Sequence, residues 1–148
     1  MRTRIRAWVY EADAGVRDLI VEALELEGIP TEGRPGASGW AEIAPPENSP
    51  ELADLVIADL GVFEETGAAD YGGLALTRRL ILGGMAPENI CLIASAWTPM
   101  AYHAARMLGL HTFQKPFPVA DLIQWAQFRQ AAQADTGCAR ADGDSPRE

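Results

Sequence analysis

The sequence predicts a doubly wound α/β protein, in which a parallel sheet is covered by helices on both faces. Short apolar runs typical of strands alternate along the chain with longer segments whose apolar residues recur at helical spacing. One of these runs, residues 55–58, is apolar without a break. An unbroken apolar run is expected of a strand that has helices packed on both of its faces.

Five strands and four helices are expected from the pattern of apolar, capping and turn residues. The strands are expected at residues 5–10, 29–34, 54–59, 89–94 and 111–114. The helices are expected between the N-cap Asp13 and the stop signal Gly28, and at residues 73–82, 99–108 and 119 to about 132. The Pro-, Gly- and Ser-rich stretch 35–50 is either a loop or a weak helix near 39–43.

Length and composition indicate one domain. The chain has 148 residues, of which 48% are hydrophobic and 22% charged, as in an ordinary globular protein. Residues 1–134 are expected to form the domain, and residues 135–148, which are poor in apolar side chains, a disordered tail.

The net charge and the lack of targeting segments limit which partners and which compartment are expected. A formal net charge of -9 argues against binding nucleic acid. No segment has the apolar centre of a signal peptide or the length of a membrane span. The two cysteines do not suggest a disulfide framework, so a cytoplasmic protein is expected.

Polar side chains follow four of the predicted strands at their carboxyl ends. Glu11 follows the first strand, Asp59 ends the third, Ser95 follows the fourth and Lys115 follows the fifth. Ligands of open parallel α/β sheets bind outside the carboxyl ends of the strands. These four side chains are therefore expected to meet in one crevice.

The segments that carry these residues resemble those of the receiver (response regulator) family. DLVIAD ends in Asp59, IASA contains Ser95, and QKPF contains Lys115 and Pro116, whose peptide bond is cis in this family. The strand and helix pattern extends the resemblance over roughly the first nine-tenths of the chain. It implies a five-stranded parallel sheet in the order 2-1-3-4-5, a flavodoxin-like, CheY-like three-layer sandwich.

The resemblance implies a role for each residue at the strand ends. Asp59 would accept a phosphoryl group on its carboxylate. Ser95 would donate a hydrogen bond from its hydroxyl to that group. Lys115 would pair with Asp59 at rest and with the phosphoryl oxygens afterwards. Mg²⁺ would be held by Asp59, the backbone carbonyl of Gly61 and Glu11. Glu11 is alternatively a simple partner of Lys115.

The chain departs from the family pattern in three places. Ala12 occupies the position of a usual acidic metal ligand, which places Mg²⁺ binding in doubt. The loop after Asp59, residues 60–71, is longer than usual, and its acidic residues could replace that ligand or form a solvated loop. The usually aromatic position in the fifth strand is Thr112, and the bulky Trp97 could cover the mouth of the site.

Two functions follow from the resemblance. The first is a phosphate-accepting receiver domain of a two-component signalling system, which takes its phosphoryl group from a sensor histidine kinase or a histidine phosphotransfer protein. It would act as a monomer or weak homodimer and bind a downstream protein through the face formed by the helix at residues 99–108, the fifth strand and the last helix. The alternative is a degenerate receiver that binds a partner without phosphorylation, as Ala12 and the long loop suggest.

An enzymatic function is disfavoured by the residue two positions after Asp59. A phosphatase with an aspartate nucleophile needs a second carboxylate there, and this chain has Gly61. We therefore expect a signalling phosphoacceptor that assists only its own phosphotransfer and dephosphorylation.

Overall fold

The structure is a computed structural model that describes residues 5–34, 52–61 and 72–142, with side chains up to residue 134. Within these ranges it contains five strands and four α-helices. The strands are β1 (Ala7–Tyr10), β2 (Thr31–Arg34), β3 (Leu55–Asp59), β4 (Ile90–Ala94) and β5 (His111–Gln114). The helices are α1 (Ala14–Leu26), α2 (Gly72–Leu82), α3 (Pro99–Leu108) and α4 (Val119–Asp142), and a 3₁₀ turn at Pro87–Asn89 precedes β4.

One sheet joins all five strands in the order β2-β1-β3-β4-β5, and every neighbouring pair is parallel. At its centre Val9 pairs with Ile57, and Ile57 with Cys91. The chain winds outwards from β1 in both directions, which is the doubly wound arrangement. The predicted fold class and strand order are therefore confirmed, and all five strands end at the same edge of the sheet.

Alternating side chains of the strands divide the core between the two faces of the sheet. Ala7 and Val9 of β1 belong to a buried cluster that also contains residues of α1 and α4. Trp8 and Tyr10 belong to a second cluster, which contains residues of α2 and α3. Two of the described helices therefore cover each face, which confirms the predicted three layers. In the described part of the chain, no helix has both the length and the apolar character needed to cross a membrane.

The predicted boundaries differ from the observed ones mainly at the ends of elements. The first four strands begin one or two residues later than expected, whereas β5 and α3 have their predicted bounds. The last helix was expected to end near Ala132 but continues to Asp142. The chain contains no proline between Pro118 and Pro146 that would end the helix earlier.

Part of the expected tail is therefore helical. Residues 135–142 lie in α4, which differs from the disorder expected there. Residues 143–148 lie outside the described part of the chain. The same is true of the undecided stretch 35–50 and of residues 62–71 in the long loop after Asp59.

Candidate functional site

Lys115 links two carboxylates at the carboxyl edge of the sheet. Glu11 directly follows β1, Asp59 is the last residue of β3, and Lys115 directly follows β5. The Lys115 Nζ atom lies 2.8 Å from Glu11 Oε1 and 2.9 Å from Asp59 Oδ1. The structure thus brings three of the four residues predicted at the strand ends into one cluster of charges.

The three side chains of these ion pairs are largely buried. The side chain of Glu11 is 4% exposed, while those of Asp59 and Lys115 are 18% and 19% exposed. Burial alone lowers the pKa of Lys115, but the hydrogen bonds and charges of Glu11 and Asp59 outweigh that effect and raise its pKa above the usual value. The ammonium group therefore stays charged, and it partly neutralises the two carboxylates.

The start of α1 fixes Glu11 in place. Asp13 is the N-cap of this helix, as predicted, because its Oδ1 atom accepts a hydrogen bond from the backbone N–H of Val16 at 3.1 Å. The backbone N–H of Asp13 donates to Glu11 Oε2, also at 3.1 Å. Arg17, one turn into the helix, donates from Nη1 to the backbone carbonyl of Glu11 at 2.7 Å. Both carboxylate oxygens of Glu11 are thus engaged, one by the helix start and one by Lys115.

Asp59 is held by its own loop and by α2. Its Oδ2 atom accepts a hydrogen bond from the backbone N–H of Gly61 at 3.0 Å. The backbone of Gly73, at the start of α2, packs directly against the end of β3, and its N–H donates to the carbonyl of Leu60 at 2.9 Å. A Cβ atom on Gly73 would come within 2.5 Å of the Asp59 carbonyl oxygen. Only glycine permits this close approach of helix and strand.

Ser95 lies beside the charged cluster but is not part of it. It directly follows β4, and its side chain is exposed. The neighbouring Ala94 carbonyl accepts a hydrogen bond from the backbone N–H of Lys115 at 2.7 Å, so the ends of β4 and β5 are adjacent. The Lys115–Pro116 peptide bond that follows is cis, as the resemblance implied.

The described residues are a poor match for a firmly held magnesium ion. They supply two carboxylates, Glu11 and Asp59, and both are already paired with Lys115. Ala12 contributes an exposed methyl group at the position where the receiver pattern has an acidic residue. In the ranges that the structure covers, no group of three or more acidic, histidine or cysteine side chains could hold a metal ion. The ligand set of Glu11, Asp59 and Gly61 remains a prediction.

Sequence reasoning missed two contacts between the Ser95 loop and β5. Gln114 donates from Nε2 to the carbonyl oxygen of Ser95 at 2.6 Å. The indole N–H of Trp97 donates to the carbonyl oxygen of Phe113 at 3.2 Å, so this side chain turns towards β5 and α3. Side-chain to backbone bonds of this kind leave no periodic pattern, so the sequence carries no signal for them.

Comparison with solved structures supports the same fold. The non-phosphorylated HemR receiver domain of Leptospira biflexa is 17% identical to this chain, with a TM-score of 0.67 over 86% of this chain and 94% of that domain. A CheY-like response regulator receiver domain protein of Methanospirillum hungatei is 16% identical, with a TM-score of 0.68 over 90% of this chain and 98% of that protein.

The chain has the receiver-domain fold. A third receiver neighbour, the BeF3-activated N-terminal receiver domain of Klebsiella pneumoniae RstA, is 21% identical, with a TM-score of 0.65 over 84% of this chain and 97% of that domain. No protein-family model and no curated protein matches the sequence. Identities this low show a likeness of fold alone. The roles of individual residues in this chain therefore have to be inferred from the geometry of its own site.

Proposed function

We propose that the chain is a phosphate-accepting receiver domain of a two-component signalling system, with Asp59 as the phosphoacceptor. The single observation that carries the proposal is the position of Lys115. Its ammonium group contacts Glu11 and Asp59 at 2.8 and 2.9 Å, at the carboxyl edge of a receiver-fold sheet. A partly exposed carboxylate next to a fixed cation is suited to attack a negatively charged phosphoryl group.

In the proposed reaction, a carboxylate oxygen of Asp59 attacks the phosphorus atom of a phosphohistidine. The donor is a sensor histidine kinase or a histidine phosphotransfer protein. The new oxygen–phosphorus bond forms as the phosphorus–nitrogen bond of the donor breaks, and the imidazole leaves. Lys115 then binds phosphoryl oxygens in a charge-assisted contact, while Glu11 keeps the ammonium group in position. Ser95 donates a hydrogen bond from its hydroxyl to the phosphoryl group.

Magnesium enters the proposal only as a weakly bound ion held by Glu11, Asp59 and the Gly61 carbonyl. The described donor set does not fit firm binding, because both carboxylates are paired with Lys115 and Ala12 offers no ligand. In the proposed phosphotransfer step, Lys115 is therefore the cation at the site.

The proposed surface for a downstream partner is formed by α3, β5 and α4. β5 is an edge strand of the described sheet. Met100 and Met107 of α3 are each 73% exposed, and Phe128 of α4 is 67% exposed. Exposed apolar side chains of this size favour contact with another protein. The proposed receiver unit is residues 1–134 in the cytoplasm, a reducing compartment that suits the free thiol of the buried Cys91.

The experiment that tests the proposal is phosphorylation of the purified chain by acetyl phosphate, with and without Mg²⁺, followed by intact-protein mass spectrometry. We expect one phosphoryl group on the wild-type protein and none on Asp59→Asn. Asp121→Asn, an exposed aspartate on α4, is the matched control and should be modified like the wild type. Absence of an adduct with acetyl phosphate and with a phosphohistidine donor, in both conditions, would reject the proposal in favour of a receiver that acts without phosphorylation.

A further inference from the structure

Each oxygen of the two carboxylates at the site already accepts a contact from the protein itself. Glu11 Oε1 lies 2.8 Å from Lys115 Nζ, and Glu11 Oε2 accepts a hydrogen bond from the backbone N–H of Asp13 at 3.1 Å. Asp59 Oδ1 lies 2.9 Å from the same Nζ atom, and Asp59 Oδ2 accepts a hydrogen bond from the backbone N–H of Gly61 at 3.0 Å. Contacts with N–H groups stabilise the charged form of a carboxylate, so in this arrangement neither carboxylate needs a metal ion for that purpose.

The charges of the cluster formed by Glu11, Asp59 and Lys115 nearly balance. The two carboxylates carry two negative charges and the ammonium group carries one positive charge, so the net charge of the cluster is -1. A second cation lies close by, since Arg17 donates from Nη1 to the backbone carbonyl of Glu11 at 2.7 Å. A third carboxylate in the cluster would bring its net charge to -2, and a divalent cation would then be needed to offset it.

Ala12 is the residue at which this third carboxylate is missing. It directly follows Glu11, it is exposed, and it stands at the position where the receiver pattern has an acidic residue. The next residue, Asp13, is acidic, but its Oδ1 atom accepts a hydrogen bond from the backbone N–H of Val16 and caps α1. The side chain of Asp13 is therefore engaged at the start of the helix and does not replace the missing carboxylate.

We propose that Asp59 accepts its phosphoryl group without a divalent cation, and that the alanine at position 12 makes this possible. With acetyl phosphate as the donor, a carboxylate oxygen of Asp59 supplies the electron pair of the new bond to phosphorus. The bond from phosphorus to the acyl oxygen breaks, and acetate leaves with that electron pair. Lys115 offsets the negative charge of the phosphoryl group, and Glu11 holds the ammonium group beside it. This inference rests on the proposed function, because it names the cation requirement of the same site.

A carboxylate introduced at position 12 should create the metal requirement that the wild type lacks. In Ala12→Asp the additional negative charge repels an anionic phosphoryl donor, so phosphorylation without metal should be slower than in the wild type. The same carboxylate adds an oxygen ligand near Glu11 and Asp59, so Mg²⁺ should accelerate phosphorylation of this variant by about 10-fold or more. The rate for the wild type should differ by less than about 3-fold between Mg²⁺ and EDTA.

The experiment measures the rate of phosphorylation by acetyl phosphate in Mg²⁺ and in EDTA at equal ionic strength, with intact-protein mass spectrometry as the readout. Binding of Mn²⁺ without a phosphoryl donor, followed by electron paramagnetic resonance, is a second readout that does not depend on phosphorylation. Ala14→Asp, the same change at an exposed position in the first turn of α1, is the matched control. Asp59→Asn shows that the adduct is on Asp59.

We expect the wild type and Ala14→Asp to be phosphorylated at similar rates in Mg²⁺ and in EDTA, and to bind Mn²⁺ weakly. Ala12→Asp should bind Mn²⁺ about 10-fold more tightly than either of them. Phosphorylation of wild-type Asp59 that requires Mg²⁺ would overturn the inference while the proposed function stands. The same holds if Ala12→Asp responds to both metal ions as Ala14→Asp does. If the wild type gives no adduct with acetyl phosphate in either condition, nor with a phosphohistidine donor, the proposed function and this inference fail together.

Discussion

At the scale of single residues, the site depends on one ammonium group between two carboxylates. Lys115 is the only lysine in a sequence that otherwise uses arginine for its basic residues. Its partner Glu11 has a side chain that is 4% exposed, so that carboxylate is costly to leave without a cation. The contact on which the proposed phosphoacceptor role of Asp59 rests is therefore also expected to stabilise the fold.

Replacement of Lys115 by Met should lower the free energy of unfolding by about 1–3 kcal/mol at neutral pH, since it leaves a buried carboxylate unpaired. Urea denaturation measures this loss. The double variant Glu11→Gln/Lys115→Met is the control, because it removes the uncompensated charge and should recover part of the stability. Equal stability of Lys115→Met and wild type would show that the ion pairs contribute nothing.

The same variant predicts a pH dependence. Folding raises the pKa of Lys115, so its contribution is fully present below the unfolded value of about 10.4 and is lost as the pH rises through the higher folded value. The stability difference between wild type and Lys115→Met should therefore narrow above about pH 10.4. Reductive ¹³C-methylation labels this single lysine and the N-terminus, so NMR can follow its titration directly. A difference that stays constant up to the alkaline limit of folding would contradict the assignment.

At the scale of elements, the position of Asp59 depends on how closely α2 approaches the end of β3. A Cβ atom at Gly73 would lie 2.5 Å from the Asp59 carbonyl oxygen and 2.8 Å from the Leu60 Cα atom, and both of these are backbone atoms. A backbone neighbour cannot rotate away as a flexible side chain can. Because Gly73 has no side chain, the helix can lie directly against the end of the strand.

Gly73→Ala should destabilise the protein by about 1–3 kcal/mol through overpacking, and it should displace Asp59 from Lys115. Chemical denaturation measures the first effect, and the rate of phosphorylation by acetyl phosphate measures the second. Gly33→Ala is the comparison, because the atoms nearest to its new Cβ belong to the side chains of Arg17 and Val21, at 3.1 Å or more. Wild-type stability and rate in Gly73→Ala would mean that α2 moves freely relative to the site.

At the scale of the whole molecule, a hydrophobic core lies on each face of the sheet, and the strands contribute side chains to both. α4 belongs to the core on the α1 side, to which it contributes the buried Leu122, Trp125 and Ala126. Further along the same helix, Gln133 donates from Nε2 to the Asp54 carbonyl at 3.2 Å. These contacts show that α4 packs on the rest of the domain at least as far as residue 133.

A chain that ends after residue 134 should therefore unfold at nearly the urea midpoint of the full chain, within about 0.5 kcal/mol in free energy. A chain that ends after residue 124 lacks Trp125 and Ala126, and it should fail to give a cooperative transition. Circular dichroism during denaturation distinguishes the two. A large loss of stability in the longer truncation would show that residues 135–148 belong to the folded unit.

How far the sequence predicts this structure depends on what marks each element. β5 and α3 have their predicted bounds, because Pro99 and Gly109 delimit α3 and Pro116 follows β5. Among the described elements, only the end of α4 differs by more than a few residues, because no proline stands between Pro118 and Pro146. The bounds of an element can therefore be predicted closely where a residue such as Pro99 or Gly109 delimits it, and less closely where no such residue is present.

For the site, the sequence by itself determined which residues stand at the strand ends. The apolar runs mark where the strands end, and a parallel sheet brings Glu11, Asp59, Ser95 and Lys115 to one edge. Only the tertiary structure decided how they are paired. Lys115 contacts both carboxylates, while Ser95 stays outside, tied to β5 through Gln114. The physical reason is that an apolar run marks the end of a strand, whereas pairing depends on distances of a few ångströms between residues far apart in the chain.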